Sequence, residues 1–213
     1  MRALFILVAL LLCGNAWAST PADSSPGTTA VLFEFQGPVP DPYWEELKNE
    51  LEQNAALVWP EREMRWMKRE EFHEGMEFPE IVQVRLQGHC KAELTASWRY
   101  SEGPLGWVYR IDGEIQPIVH VNCGQIGKAL ERELRGANIM LRQQKFARAI
   151  SRVVTHELMH IFTQSAKHGS SGLQKAQLTA DELTRNTFAK EERQKGIPHS
   201  PKSGGFGIAA WVE

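Results

Sequence analysis

The chain has 213 residues, and its 24 Lys and Arg residues nearly balance its 26 Asp and Glu residues. This balance, without any local Lys/Arg tract, excludes a nucleic-acid binder held by a strongly basic surface. A hydrophobic share of 42% with 23% charged residues excludes wholesale disorder and collagen-like repeats. The length suits one domain or a tight pair of small ones, and the three cysteines are too few for a disulfide-dense scaffold.

Residues 1–18 have the pattern of a secretory signal peptide. Arg2 supplies a positive charge, residues 3–12 are an unbroken apolar run, and Ala-Trp-Ala at 16–18 fits a small-x-small cleavage site. The apolar run is about half the roughly 20 residues that a membrane helix needs. We therefore expect cleavage after Ala18 and export to the periplasm or the medium, with no membrane span afterwards.

Two alternatives for this segment remain open, namely an anchor that is never cut and a lipoprotein modified at Cys13. Leu12 is a poor residue to precede a lipidated cysteine. Cleavage after residue 18 leaves Cys90 and Cys123 as the only cysteines. In an oxidising compartment this pair predicts one disulfide, the alternative being two buried free thiols.

The exported part is expected to form one α+β domain with a mixed, twisted sheet over residues 30–195. It lies between a linker at 19–29 and a loop-rich tail at 196–213, both rich in Ser, Pro or Gly. A helix is expected to begin near Asp41, with Asp41 as its N-cap and Pro42 in its first turn. Patterning predicts strands at 30–36, 62–68, 81–86, 105–111 and 118–121, and helices from 124 onward.

The residues that indicate chemistry are His156-Glu157-Leu158-Met159-His160, an HExxH sequence. On a helix, residues four apart lie on one face, so His156 and His160 can share one metal ion. Glu157 lies between them in sequence and can act as general base on a water activated by Zn²⁺. This spacing predicts a zinc site with a catalytic glutamate.

The surrounding helix is predicted to be amphipathic. At helical spacing, one stripe is apolar, and the opposite side carries Arg148, Arg152 and Thr155. The two histidines flank one edge of the stripe, where a helix borders a cleft. The apolar positions that define the stripe are Phe146, Ile150, Val153, Val154, Leu158, Ile161 and Phe162.

These features resemble the zincin metallopeptidases, and residues 152–176 also look like uncharacterised secreted bacterial zincin-like proteins. The resemblance implies a zincin-like fold, a peptide or protein substrate and hydrolysis of peptide bonds. It also implies that the strand just before the active-site helices is the sheet edge that lines the substrate groove, which corresponds here to residues 117–123. An extended peptide would add to such an edge by main-chain hydrogen bonds.

The third zinc ligand is left between two residues. A catalytic zinc usually has three protein ligands. The metzincin pattern HExxHxxGxxH fails here, because Thr163 and Ala166 replace its glycine and third histidine. His168, beside Gly169, is the preferred ligand because a loop can fold it back onto the metal. Glu182 is the rival, because a following-helix glutamate completes the site in thermolysin-like relatives.

The sequence leaves the group that stabilises the transition state open. No tyrosine follows Tyr109, so His199 and Arg185 are the candidates. His73, His89 and His120 have no partner spacing and are expected to be ordinary histidines. The predicted function is a secreted zinc metallopeptidase, and the alternative is a secreted zinc-binding or protein-interaction module of the same fold without turnover.

Overall fold

The computed structural model describes residues 27–92 and 101–186. The predicted signal peptide at 1–18 and tail at 196–213 lie outside these residues, as does most of the predicted linker at 19–29. The chain forms five strands and four helices within the described ranges, which confirms the prediction of an α+β chain with a mixed sheet. The strands are β1 Thr29–Phe35, β2 Met64–Lys68, β3 Glu80–Gln87, β4 Gly106–Ile111 and β5 Glu114–Asn122. The helices are α1 Asp41–Val58, α2 Cys123–Leu134, α3 Ile139–Thr163 and α4 Ala180–Thr184.

The sheet has the strand order β2-β1-β3-β5-β4. The first four strands in this order run parallel, and β4 pairs antiparallel with β5 at one edge. Asp112 and Gly113 join β4 to β5 with φ angles of 51° and 90°. Two successive positive φ angles are typical of the tight hairpin turn that Asp-Gly favours. This hairpin sets β4 along the outer side of β5.

The main core lies between one face of the sheet and the helices. Alternate strand residues such as Phe33, Val84 and Val119 are fully buried on this face. They pack with Leu47 of α1 and Ile150 of α3, which are also fully buried. Burying each such side chain contributes about 1.5–3 kcal/mol. The core therefore fixes α3 across the sheet, with its C-terminal half next to β4 and β5.

One prediction about the helices is wrong in detail. Asp41 is the first residue of α1 rather than its N-cap, which is Pro40, and the Asp41 carboxylate pairs with Lys68 instead.

The side of α3 that carries Arg152 and Thr155 is buried, with exposed fractions of 3% and 0%. Periodicity alone does not reveal this burial, because other helices supply the hydrogen-bond partners of the arginines.

Cys90 and Cys123 form a disulfide, as predicted, with their Cα atoms 5.0 Å apart. Cys90 follows β3, and Cys123 begins α2 directly after β5. The bond therefore joins the carboxyl ends of two neighbouring parallel strands. None of the helices in the described ranges has the length and apolarity required to cross a bilayer.

Removing this disulfide with Cys90→Ala and Cys123→Ala is expected to destabilise the protein. The cysteines are 33 residues apart, and opening a loop of that size costs about 3–4 kcal/mol of unfolding free energy. Urea unfolding followed by circular dichroism measures the change. A loss below about 1 kcal/mol would mean that the bond does not constrain the unfolded chain as this loop length requires.

Candidate metal centre

The helix that carries HExxH is held at both ends. The Asn138 side chain accepts a hydrogen bond from the Leu141 amide and caps its N-terminus. At the other end Gln164 adopts the left-handed conformation, with φ 49° and ψ 36°, and stops the helix. The Gln164 side-chain amide bonds both the N–H and the C=O of Ile115, the second residue of β5. This pair of bonds ties the end of α3 directly to the sheet.

After Gln164 the chain folds back over the last turns of α3. The Ser165 amide donates to the His160 carbonyl, which reverses the chain direction. Further along, the Gly169 amide donates to the Gln174 carbonyl at 2.7 Å. A Cβ at Gly169 would meet the Gln174 side chain at 2.6 Å, so only glycine allows this close approach. We call residues 164–175 the ligand loop.

The ligand loop brings His168 to the two histidines of α3. The Nε2 atom of His156 lies 3.1 Å from Nε2 of His168 and 3.1 Å from Nε2 of His160. One ring nitrogen from each of the three side chains falls within 4.8 Å of the others. No other group of three His, Cys, Asp or Glu side chains meets this condition in the described ranges.

The outer nitrogens of the two α3 histidines are held by carbonyls of the ligand loop. His156 Nδ1 lies 2.6 Å from the Leu173 carbonyl, and His160 Nδ1 lies 2.6 Å from the Ser165 carbonyl. A carbonyl only accepts, so each Nδ1 must carry the proton, and in a neutral ring Nε2 then keeps its lone pair. This arrangement orients histidines for metal binding.

Burial keeps these rings neutral. It lowers the pKa of His156 to about 4, with the two neighbouring histidines adding to the effect and the bond to Leu173 opposing it. Burial also lowers the pKa of His160 and of His168. The Nε2 lone pairs of His156 and His160 lie 3.1 Å apart and repel one another unless a cation lies between them. Imidazole donors of this kind suit zinc, so the residues present fit the predicted ion.

Glu157 lies beside the histidines at the wall of the cleft, with 6% of its surface exposed. Burial raises the pKa of this carboxyl to about 8. A cation held by the histidines would favour the charged form and act against that rise. The carboxylate is thus placed in a largely dry environment, where small changes of nearby charge alter its affinity for a proton.

Gly106, which begins β4, lets the edge strand approach Glu157. A Cβ built at Gly106 would lie 2.5 Å from Val153 Cγ1 and 3.2 Å from both Cγ and Oε1 of Glu157. The sequence prediction overlooked this residue, although a glycine within a predicted strand is itself a signal of close backbone approach. Gly106 therefore sets the distance between β4 and α3.

Gly106→Ala is expected to lower the unfolding free energy by about 1–3 kcal/mol, because Val153 and Glu157 must move to admit the methyl group. Gly37→Ala is the matched control: Gly37 has no atom within 4 Å of its Cβ position and no positive φ. The unfolding free energy of Gly37→Ala should stay within about 0.5 kcal/mol of the wild-type value. Denaturant unfolding measures the free energy of unfolding of both variants. Equal values would show that β4 moves away from α3 without loss of stability.

Glu182, the rival third ligand, is placed away from the histidine nitrogens and bonded elsewhere. Its carboxylate contacts Lys175 Nζ at 2.6 Å and the Thr179 amide at 2.9 Å, which caps α4. The bond to Lys175 is the largest of several that lower the pKa of Glu182 to about 2. The structure thus brings His168, rather than Glu182, to His156 and His160.

The described residues include one of the two candidate transition-state groups, Arg185, and it is not at the site. Arg185 forms ion pairs with Asp181 and Glu182 and does not line the cleft. His199 lies outside the described residues. His120 is 8% exposed and bonded to Gln87, whereas His73 and His89 are exposed, so these three are ordinary histidines in the described structure.

A cleft of about 1050 Å³ runs past the histidines. It is lined by Glu157 and the three histidines, by residues 102–110 and by residues 175–178. The predicted groove edge at 117–123 is wrong: residues 117–122 belong to β5, an inner strand, and the edge strand along the cleft is β4. Sequence order does not reveal this, because the hairpin places the earlier strand outside.

The buried side of α3 binds α4. Arg152 donates to the backbone carbonyls of Glu182 and Arg185, and Arg148 donates to the carbonyl of Thr184. Arg148 also pairs with Glu50 of α1 at 2.7 Å. These bonds satisfy carbonyls at the C-terminal end of α4 and fix that short helix to the helix that carries HExxH.

Comparison with known proteins adds no family to these observations. No profile of a known protein family matches the chain, and no curated protein shows significant similarity to it.

Proposed function

We propose that the protein is an exported zinc-dependent metallopeptidase of the zincin type. In this proposal His156, His160 and His168 hold the zinc ion, and Glu157 is the general base. The observation that carries it is the convergence of the Nε2 atoms of His156, His160 and His168 next to a buried glutamate in an open cleft. The Nδ1 atoms of His156 and His160 are held by backbone carbonyls, which leaves their Nε2 atoms free to bind an ion. A zinc ion bound there would act as a Lewis acid and make a water molecule far more acidic.

The chain's own contribution to hydrolysis is proton transfer by Glu157. Its carboxylate accepts the proton of the attacking water and gives it to the departing amine nitrogen. Burial raises the pKa of Glu157, which makes its carboxylate a stronger base toward that water, and a bound cation would oppose this rise. The proposed reaction consumes one water and one peptide bond and yields a carboxylate and an amine.

The edge strand β4 supports a peptide as substrate. It pairs with β5 on one side, and within the described ranges no strand pairs with its other side. An extended peptide can add to such an edge through main-chain hydrogen bonds. Residues 106–110 of β4 line the cleft that contains Glu157 and the histidines, so a peptide paired with this edge would lie close to the site.

Export is supported by the signal-like residues 1–18 and by the Cys90–Cys123 bond. Disulfides persist in oxidising compartments, which include the periplasm and the extracellular medium.

The second candidate function is a zinc-binding or protein-interaction module without turnover. The observation that favours it is that Arg185, one of the two expected transition-state donors, is engaged with Asp181 and Glu182. Such a protein would bind zinc and present β4 to a partner without cleaving it.

Metal analysis combined with a peptide-library digest separates the two functions. The purified exported protein is assayed for zinc and incubated with a mixed peptide library, with and without a chelator, and products are read by mass spectrometry. The peptidase proposal predicts one zinc per chain and new chelator-sensitive termini. Bound zinc with no cleaved peptide in any library would favour the module.

A further inference from the structure

The ligand loop supplies three of the groups on which the metal centre depends. It carries His168 itself, and its Ser165 and Leu173 carbonyls orient His160 and His156. Leu173 is 2% exposed, which fixes that carbonyl within the protein. A displacement of this loop would therefore disturb all three candidate ligands together.

The two ends of the loop are fastened by different means. Gln164 holds the first end to Ile115 of β5. At the other end the Lys175 backbone bridges Gly169, and its amide donates to the Gly172 carbonyl at 3.3 Å. The Lys175 side chain reaches Glu182 of α4, with Nζ 2.6 Å from Oε1. This ion pair joins the second end of the loop to another element.

Glu182 is itself rigidly held. Its second carboxylate oxygen accepts from the Thr179 amide and hydroxyl, and its backbone carbonyl accepts from Arg152. Its side chain is 15% exposed and that of Lys175 is 33% exposed. Solvent screens a partly buried ion pair less than a surface pair. Because Glu182 is already held in place, forming the pair also costs less side-chain entropy.

We propose that Lys175 and Glu182 are positioning residues for the metal centre. Their ion pair clamps the ligand loop to α4, and Arg152 clamps α4 to the helix that carries His156 and His160. The inference rests on the proposed zinc site and deepens it. It also gives Glu182 a role in metal binding that is indirect, through the loop, in place of the direct role of a ligand.

The test measures zinc affinity by competition with a chromophoric chelator. Lys175→Met and Glu182→Gln are each expected to weaken zinc binding several-fold, up to the about 10- to 100-fold seen when a direct partner of a metal ligand is removed. The double variant should be no weaker than either single one, because both remove the same interaction. The exchanged pair, Lys175→Glu with Glu182→Lys, should recover part of the affinity.

Asp181→Asn is the matched control, because Asp181 is an exposed acid of the same short helix, with 77% of its side chain accessible. Its affinity for zinc should equal that of the wild type. Substitution with Co²⁺ supplies a second readout, since its visible absorption reports the coordination geometry. If the Lys175–Glu182 ion pair positions the ligand loop, Lys175→Met should alter the Co²⁺ spectrum, although Lys175 is not itself a ligand.

The outcomes separate the clamp from the proposed function. If the wild type binds no zinc, both fail. If the wild type binds zinc and Lys175→Met and Glu182→Gln bind equally well, only the clamp is overturned. Weakened binding by Glu182→Gln with unchanged binding by Lys175→Met would overturn it in favour of Glu182 as a ligand. Where Glu182→Gln does not fold by circular dichroism, Lys175→Met decides, because it leaves the Thr179–Glu182 cap intact.

Discussion

Glu157→Gln is expected to lower peptide hydrolysis by about 10²–10⁴-fold, the contribution of a positioned general base. Glutamine keeps the shape of the side chain but does not accept the proton of water at neutral pH. Glu157 is not among the three side chains whose donor atoms lie within 4.8 Å of one another. The variant should therefore keep one zinc per chain. Initial rates on a fluorogenic peptide, together with metal analysis, measure both quantities.

Glu102→Gln is the control for this experiment. Glu102 is an exposed acid that lines the same cleft, so the variant changes the cleft's charge by the same amount without touching the histidines. It should keep wild-type zinc content and nearly wild-type rates. Equal loss of activity in both variants would mean that the charge of the cleft matters rather than a base at Glu157.

His168→Ala is expected to weaken zinc binding by more than about 100-fold, beyond the effect of losing an outer partner of a ligand. The reason is that His168 Nε2 lies 3.1 Å from His156 Nε2, where it would share one ion with the α3 pair. Alanine removes this donor and leaves two histidines. Competition titration with a chelator of known affinity measures the change.

His73→Ala is the matched control, because His73 is exposed and its ring contacts only the neighbouring Glu74 carbonyl among the bonds of the described residues. Its zinc affinity should equal that of the wild type. Unchanged affinity in His168→Ala would exclude His168 as the third ligand and return that role to another residue.

The parts of the fold that depend on nearby residues were predictable from sequence. The HExxH spacing and the apolar stripe placed His156 and His160 on one helix, because helical periodicity is a local property. The turn at Asp112-Gly113 is local in the same way, since two adjacent residues determine it. The preference for His168 relied on Gly169, whose lack of a side chain lets the loop approach Gln174.

The parts that depend on distant partners were not predictable. Which strand of the hairpin lies at the edge is decided by the pairing of β5 with β3, and nothing in residues 105–123 records that pairing. The burial of Arg152 is decided by the backbone carbonyls of α4, some 30 residues further along the chain. The carbonyls of Ser165 and Leu173 belong to the backbone, which every residue has. The sequence therefore does not mark them as partners of the histidines.

The most direct test of the zinc centre is an X-ray diffraction experiment on the zinc-loaded protein, with data collected on both sides of the zinc absorption edge. We predict one anomalous peak within about 2.0–2.1 Å of the Nε2 atoms of His156, His160 and His168. Glu157 should lie beside the peak without contacting it. A peak elsewhere in the molecule, or one bound by Glu182 in place of His168, would overturn the proposed zinc centre.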